Sequence, residues 1–146
     1  MKRTMVLLPL LVIIPLLAAM GTPGGEGSPD KIPIPEKKYT ATFIDQDDVI
    51  TECRDVSIEG GTFLEGKKGE GTYTIPFDTI ASIVFQLKDD RLTGIVRLKG
   101  GDGIELIVNK DARAYGYTKY GPFQIRLGDL KKITVGGAAR KRTSSP

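Results

Sequence analysis

The chain has 146 residues, with 21 lysines and arginines against 18 acidic residues, a single cysteine and no histidine. This length suits one domain. One cysteine excludes an internal disulfide framework, and the absence of histidine excludes Ser-His-Asp and Cys-His catalysis as well as histidine-ligated metals. From this composition we expect no cofactor, no metal site and no enzymatic activity.

The N-terminus has the three-part layout of a secretory signal peptide over residues 1–21. Lys2 and Arg3 precede an apolar run, which ends in small residues that suit a cleavage site. The run is shorter than the about 20 apolar residues of a membrane-spanning helix, and it contains two prolines. We therefore expect an exported protein, periplasmic or extracellular. The alternative is an inner-membrane protein anchored by residues 5–20, and we expect membrane contact only if that segment is retained.

Two segments beside the predicted folded region have compositions unsuited to a packed core. Residues 22–36 are rich in Gly and Pro and predict a flexible linker. Residues 137–146 are basic and polar and predict a disordered tail. The domain is thus expected over residues 37–136. Its positive charges form no clustered basic face, and this, together with export, argues against a nucleic-acid partner.

A stretch of apolar residues occurs twice in the chain. Residues 71–85 and residues 121–135 align without a gap, glycine against glycine. The matched apolar positions are Tyr73 with Phe123, Ile75 with Ile125, Phe77 with Leu127, Ile80 with Leu130, Ile83 with Ile133 and Phe85 with Val135. This match indicates an internal duplication.

The duplication extends to the segments that precede the repeated stretch. Alternating residues on either side of Gln46-Asp47 predict one β-hairpin, and those on either side of the Gly100–Gly103 turn predict another. The hairpins align with Ala41, Phe43, Val49, Thr51 and Cys53 against Val96, Leu98, Ile104, Leu106 and Val108. The chain therefore contains two repeats, residues 40–85 and 95–135, the first with about five extra residues around 63–71.

Each repeat predicts five short strands. After the hairpin come a third strand, the alternating fourth strand, one helical turn that Asp78 is expected to cap, and a closing strand. A unit of about 45 residues buries too little surface to be stable alone. We therefore predict an all-β fold of two tandem five-strand repeats that share one core. Its form is either a pseudo-twofold β-sandwich or a pair of fused, partly open small barrels.

The second repeat resembles a pattern found in uncharacterised small exported bacterial β proteins. The pattern is T-x-Y-G followed by an alternating strand that ends in I-x-x-I. Its residues here are Thr118, Tyr120, Gly121, Ile125, Leu130 and Ile133, with Gly71, Ile75, Ile80 and Ile83 matching in the first repeat. These are turn and core positions, so the resemblance implies a fold and no activity.

The remaining candidates for chemistry are carboxylates and one thiol. The acidic turn Asp45–Asp48 offers oxygen ligands for calcium, but it lacks the glycine and the distal acid of a loop site, so a hairpin turn is the simpler reading. Glu52, Glu59 and Glu65 leave a carboxylate hydrolase open. Cys53 lies on the same strand face as Val49 and Thr51, which predicts a buried thiol rather than an intermolecular disulfide.

The segment Arg113–Lys119 offers a candidate binding surface. Strand alternation places Arg113, Tyr115, Tyr117 and Lys119 on one face and small residues on the other. If the small residues face the core, two tyrosines flanked by cations face outward and can stack on a sugar ring or a partner side chain. The opposite orientation buries more apolar area and is slightly favoured on that ground.

The sequence alone thus leads to an expectation about function. We expect an exported, non-enzymatic β module that binds a protein or an envelope glycan. The alternatives are a carboxylate-dependent extracytoplasmic hydrolase and a membrane-tethered structural protein of the envelope.

Overall fold

A computed structural model describes residues 32–138 of the chain. The predicted signal peptide, residues 22–31 of the predicted linker and residues 139–146 of the predicted tail lie outside the described residues. In residues 32–138 no helix is long and apolar enough to span a membrane.

Ten strands account for most of the described chain, and a single 3₁₀ turn precedes the last strand of each repeat. The strands of the first repeat are β1 (Tyr39–Asp45), β2 (Ile50–Ile58), β3 (Phe63–Lys68), β4 (Gly71–Pro76) and β5 (Ile80–Lys88). Those of the second are β6 (Arg91–Leu98), β7 (Gly103–Val108), β8 (Arg113–Thr118), β9 (Gly121–Arg126) and β10 (Leu130–Ala138). The 3₁₀ turns span Phe77–Thr79 and Leu127–Asp129.

All ten strands form one antiparallel sheet, which curls into a half-barrel. The strand order is β4-β3-β7-β6-β5-β10-β1-β2-β8-β9. This confirms the predicted all-β fold with two five-strand repeats around one core. Apolar side chains from both repeats fill the inner face of the curl, including Leu64, Ile80 and Ile83 of the first repeat and Leu106 and Leu130 of the second.

The sheet order has a pseudo-twofold axis between β5 and β10, and the repeats exchange strands across it. In one half β5 is followed by the hairpin β6-β7 of the second repeat, and then by β3-β4 of the first repeat. In the other half β10 is followed by β1-β2 of the first repeat, and then by β8-β9 of the second. Each half therefore contains strands of both repeats, so neither repeat has a complete half-sheet of its own.

Two glycines allow the third strand of each repeat, β3 or β8, to lie close to the second strand of the other repeat, β7 or β2. A Cβ at Gly66 would lie 2.7 Å from the Leu106 Cβ, and a Cβ at Gly116 would lie 2.6 Å from the Cys53 Cβ. Each contact joins one repeat to the other. Because only glycine fits so close an approach, these positions fix how the exchanged strands pack.

The sheet pairing corrects the sequence alignment of the two hairpins by two residues. Phe43 lies opposite Ile133, and Val96 lies opposite Ile83, so Phe43 is equivalent to Val96 rather than to Leu98. The inner and outer faces were still predicted correctly, because a shift of two residues preserves strand parity. The extra length of the first repeat lies at the bulge in β2 and in the Glu59–Gly60 turn, where φ is positive, and not around residues 63–71.

Asp78 does not cap the helical turn as the sequence predicted. The residue at the cap position is Pro76, and no side chain caps the turn. Instead the Tyr39 hydroxyl donates a 2.5 Å hydrogen bond to Asp78 Oδ1. This bond, with burial and the charge of Asp78, raises the pKa of Tyr39 to about 12, and the same bond lowers the pKa of Asp78.

Candidate binding surface

Strand β8 turns its tyrosines outward and its small residues toward the core. Ala114 and Gly116 are buried, whereas Tyr115 and Tyr117 are half-buried on the opposite face. The sequence slightly favoured the reverse orientation because of apolar area. Close packing decides against it, because β8 crosses so near Cys53 at Gly116 that no larger side chain fits there.

We call Arg113, Tyr115, Tyr117 and Lys119 the tyrosine patch. The structure places the first three on the outer face of β8, with Lys119 in the turn after it. The Arg113 guanidinium donates to Gln124 Oε1 of β9 at 3.1 Å. The Lys119 Nζ lies 5.0 Å from the ring centroid of Tyr120, which is 87% exposed at the hairpin tip.

One contact of the patch comes from the first repeat. Arg54 of β2 pairs with Tyr117 in the sheet, and its guanidinium carbon lies 5.2 Å from the Tyr117 ring centroid. Arg54 Nη1 also donates to Asp55 Oδ2 at 3.0 Å, so the same guanidinium contacts both the ring and a carboxylate. Sequence reasoning missed Arg54, since nothing in the sequence brings the second strand of one repeat beside the third strand of the other.

A groove of about 1230 Å³ adjoins the tyrosine patch where β2 and β8 separate. The β2–β8 ladder begins at Arg54, so the preceding residues of β2 have no partner on that side within the described chain. This β2–β8 groove is lined by hydroxyls, aromatic rings and charged side chains, in particular Thr40, Thr42, Glu52, Arg54, Tyr117, Lys119 and Tyr120. Within residues 32–138 neither Glu52 nor Lys119 takes part in an ion pair, so both charges are available to a ligand.

The other half of the sheet has a groove at the equivalent position. It has a volume of about 630 Å³ and lies between β3 and β7. Glu105 takes the place of Glu52 there, but Ile107 and Lys67 replace the pair Arg54 and Tyr117. The duplication thus supplied two grooves, and only the β2–β8 groove has an aromatic ring with a guanidinium over it.

The acidic turn between β1 and β2 uses two of its three carboxylates, Asp45 and Asp48, within the fold. Asp45 Oδ1 accepts the backbone N–H groups of Asp47 and Val49, both at 2.9 Å. Asp48 accepts a hydrogen bond from Lys131 Nζ at 2.5 Å. These are the contacts of a hairpin turn. Over the described range 32–138, no three His, Cys, Asp or Glu side chains come together as they would to hold a metal ion.

The glutamates considered for hydrolysis are spread over the molecule. Five strands of the sheet order separate β3, which contains Glu65, from β2, which contains Glu52. Glu59 Oε1 accepts the backbone N–H of Arg113 at 2.5 Å and thereby ties the turn after β2 to β8. The structure therefore brings no two of these carboxylates into a pair.

The thiol and one hydroxyl are buried beside the patch. Cys53 is free and 5% exposed, as predicted for a buried thiol, and burial raises its pKa to about 11. Ser57 is paired in the sheet with Tyr115 and is 1% exposed. Its hydroxyl has no hydrogen-bond partner among residues 32–138.

Comparison with known proteins yields one family. The model of a family described as "Uncharacterised protein" matches residues 35–137, which include β1 to β9 and β10 up to its last residue. No curated protein and no solved structure matches the chain.

Proposed function

The chain belongs to this family of uncharacterised proteins, and we propose that it is an exported, non-enzymatic β module that binds a protein or a cell-envelope glycan through the tyrosine patch and the β2–β8 groove. The observation that carries the proposal is the half-buried Tyr117 ring held under the Arg54 guanidinium at the rim of that groove. A fixed aromatic ring offers large contact area at little cost in side-chain entropy.

The lining of the β2–β8 groove supports an extended polar ligand. One free carboxylate, Glu52, and one free ammonium, Lys119, face it together with threonine and tyrosine hydroxyls. Such a mixture donates and accepts hydrogen bonds without a strong net field, which suits the hydroxyls and amides of a glycan strand or of a polypeptide. Lys2, Arg3 and the apolar run that follows them support export of the protein. Both kinds of ligand occur outside the cytoplasm.

Co-sedimentation of the purified protein with isolated envelope material tests the binding proposal. Tyr117→Ala is expected to weaken retention at least about tenfold, since central aromatic contacts dominate such sites. Lys67→Ala, at the equivalent position of the other groove, is the matched control and should bind like the wild type. Equal retention of the Tyr117 variant would refute the assignment of the site.

Selective digestion of the envelope material separates the two ligand classes. Loss of binding after protease treatment identifies a protein, and loss after treatment with a glycan hydrolase identifies a glycan. Release of soluble sugar by the purified protein alone would instead establish the hydrolase alternative.

N-terminal sequencing of material collected from the culture tests export separately. A mature chain that begins near Thr22 is expected. An intact Met1 confined to the membrane fraction would establish the tethered alternative.

A further inference from the structure

The two edge strands of the sheet, β4 and β9, are equivalent elements of the two repeats, yet they differ in what they expose. Five of the six residues of β4 are exposed, whereas β9 alternates between exposed and half-buried positions. No strand within residues 32–138 pairs with the outer side of either edge. An unprotected edge is a template for another strand.

The backbone of β4 presents a ready set of hydrogen-bonding groups. The Phe77 N–H donates to the Thr62 carbonyl at 2.9 Å in register with the β3–β4 ladder. Because hydrogen-bonded pairs alternate along an antiparallel ladder, the outward positions of β4 are Thr72, Thr74 and Pro76. Pro76 has no N–H to offer, so the free pairing groups are the N–H and C=O of Thr72 and Thr74. From Gly71 to Phe77 there is no charged residue.

Strand β9 is protected at the corresponding positions. The Leu127 N–H donates to the Ala112 carbonyl at 2.8 Å, so the outward positions of β9 are Pro122, Gln124 and Arg126. Pro122 removes a donor and Arg126 adds a charge, which are two of the devices that keep edge strands from pairing. The position of Pro122 corresponds to Thr72 in β4.

The inner side of β4 is also uncovered. Tyr73 is 44% exposed, whereas Phe123 at the equivalent place in β9 packs on Phe43 with ring centroids 5.8 Å apart. The residue equivalent to Phe43 in the other half is Val96, which has no ring to offer Tyr73. The smaller side chain leaves the tyrosine ring exposed beside the free edge.

We propose that β4 pairs antiparallel with β4 of a second copy of this chain, about a twofold axis between the two Tyr73 residues. In this register Thr72 and Thr74 of one copy lie opposite Thr74 and Thr72 of the other and exchange N–H···O=C hydrogen bonds. The two tyrosine rings meet on the inner side, and no charge of β4 faces another charge. Because the two strands are identical, the twofold axis places each donor of one β4 opposite an acceptor of the other.

The contact is small, so the dimer is expected to be weak and reversible. An interface of one six-residue strand per copy falls at the low end of specific interfaces. The β2–β8 groove lies toward the other end of the strand order, so pairing through β4 leaves the β2–β8 groove of each copy free. The self-association is independent of what the groove binds.

Sedimentation equilibrium of the full protein from about 10 µM to about 1 mM tests the proposal, since small interfaces associate in that range. We expect a concentration-dependent dimer and NMR shift changes centred on Thr72 and Thr74. Thr72→Pro should abolish dimerisation with an unchanged fold, since β9 accommodates Pro122 at the equivalent place. Gln124→Pro, the matched change on β9, should leave the dimer intact.

Several outcomes would overturn the proposal. They are a monomer at every concentration, a Thr72→Pro variant that dimerises like the wild type, and shift changes centred on β9. If Thr72→Pro proves unfolded, Thr74→Lys serves instead, because its side chain lies on the outer face and its charge opposes pairing. The wild-type shift changes also locate the contact without any variant.

Discussion

Ile83 of β5 and Ile133 of β10 lie directly opposite each other in the sheet, and they are the same position of the two repeats. On either side of this pair, Ser82 lies opposite Thr134 and Val84 lies opposite Lys132, so the register of the two strands is symmetric about the Ile83–Ile133 pair. The pseudo-twofold axis therefore passes between these two isoleucines. Both are buried, at 0% and 3% exposure, so the axis lies in the shared core.

Truncation at the axis should be costly in both repeats. Ile83→Ala and Ile133→Ala are each expected to lower the free energy of unfolding by about 2–5 kcal/mol, the usual range for a fully buried isoleucine. The exposed neighbour Thr134 provides a control, and Thr134→Ala should stay within about 0.5 kcal/mol. Denaturant melts at constant slope measure all three. An Ile133→Ala change as mild as the control would mean that this position is not part of the core.

The exchange of strands predicts that neither repeat folds alone. A cut in the β5–β6 turn, at Asp89 and Asp90, separates β3 from β7 and β2 from β8. The third strand of each fragment then keeps only its hairpin partner and loses its neighbour from the other repeat, and circular dichroism should show little cooperative structure. Mixing the two fragments should restore the spectrum and a single melting transition. Two fragments that melt cooperatively without each other would contradict the exchange.

Substitution of Gly66 or Gly116 by a residue with a side chain is expected to destabilise the protein. Gly66→Ala and Gly116→Ala each place a Cβ within 2.7 Å of another Cβ, on strands that cannot easily move apart. We expect each to destabilise by about 1–3 kcal/mol through overpacking. Gly100→Ala is the matched control, since nothing lies within 4 Å of its Cβ position. Thermal melts compare the three, and a harmless Gly116→Ala would show that β8 can shift away from β2.

Stability is expected to fall at alkaline pH. The pKa of Cys53 is raised from 9.0 to about 11, and that of Tyr39 from 10.0 to about 12. Both groups therefore stay protonated longer in the folded protein, and the stability they contribute is present below the unfolded pKa and is lost as pH rises toward the folded pKa. Unfolding free energies measured from pH 8 to 12 should decline above about pH 9.

Two variants identify the groups behind the alkaline decline. Cys53→Ala should remove the loss of stability that begins near pH 9. Tyr39→Phe should remove the loss of stability that begins near pH 10. Tyr39→Phe should also raise the pKa of Asp78 toward its ordinary value, because the hydrogen bond from the tyrosine hydroxyl is the main cause of its depression. An NMR titration of Asp78 measures this change. An unchanged pKa of Asp78 would mean that the bond does not persist in solution.

The sequence by itself determined which residues form strands and, except for β8, which face of a strand is apolar. Alternation is a local property, so Phe43, Ile83 and Ile133 were assigned to the interior correctly, and the matching positions revealed the duplication. Turn residues marked both hairpins for the same reason, because Asp45 bonds its own backbone whatever surrounds it.

Only the tertiary structure decided which strands are neighbours. The two repeats have the same alternation, so the pattern is equally compatible with β3 beside β2 of its own repeat and with β3 beside β7 of the other repeat. The exchange sets Arg54 over Tyr117 and brings Gly116 against Cys53, and the second of these contacts leaves the tyrosines on the outer face. Apolar area alone favours burying the tyrosines, but an argument from area does not consider whether their side chains fit between the strands. The close approach of two backbones from different repeats left room only for glycine, and that approach depends on the whole sheet rather than on any segment of it.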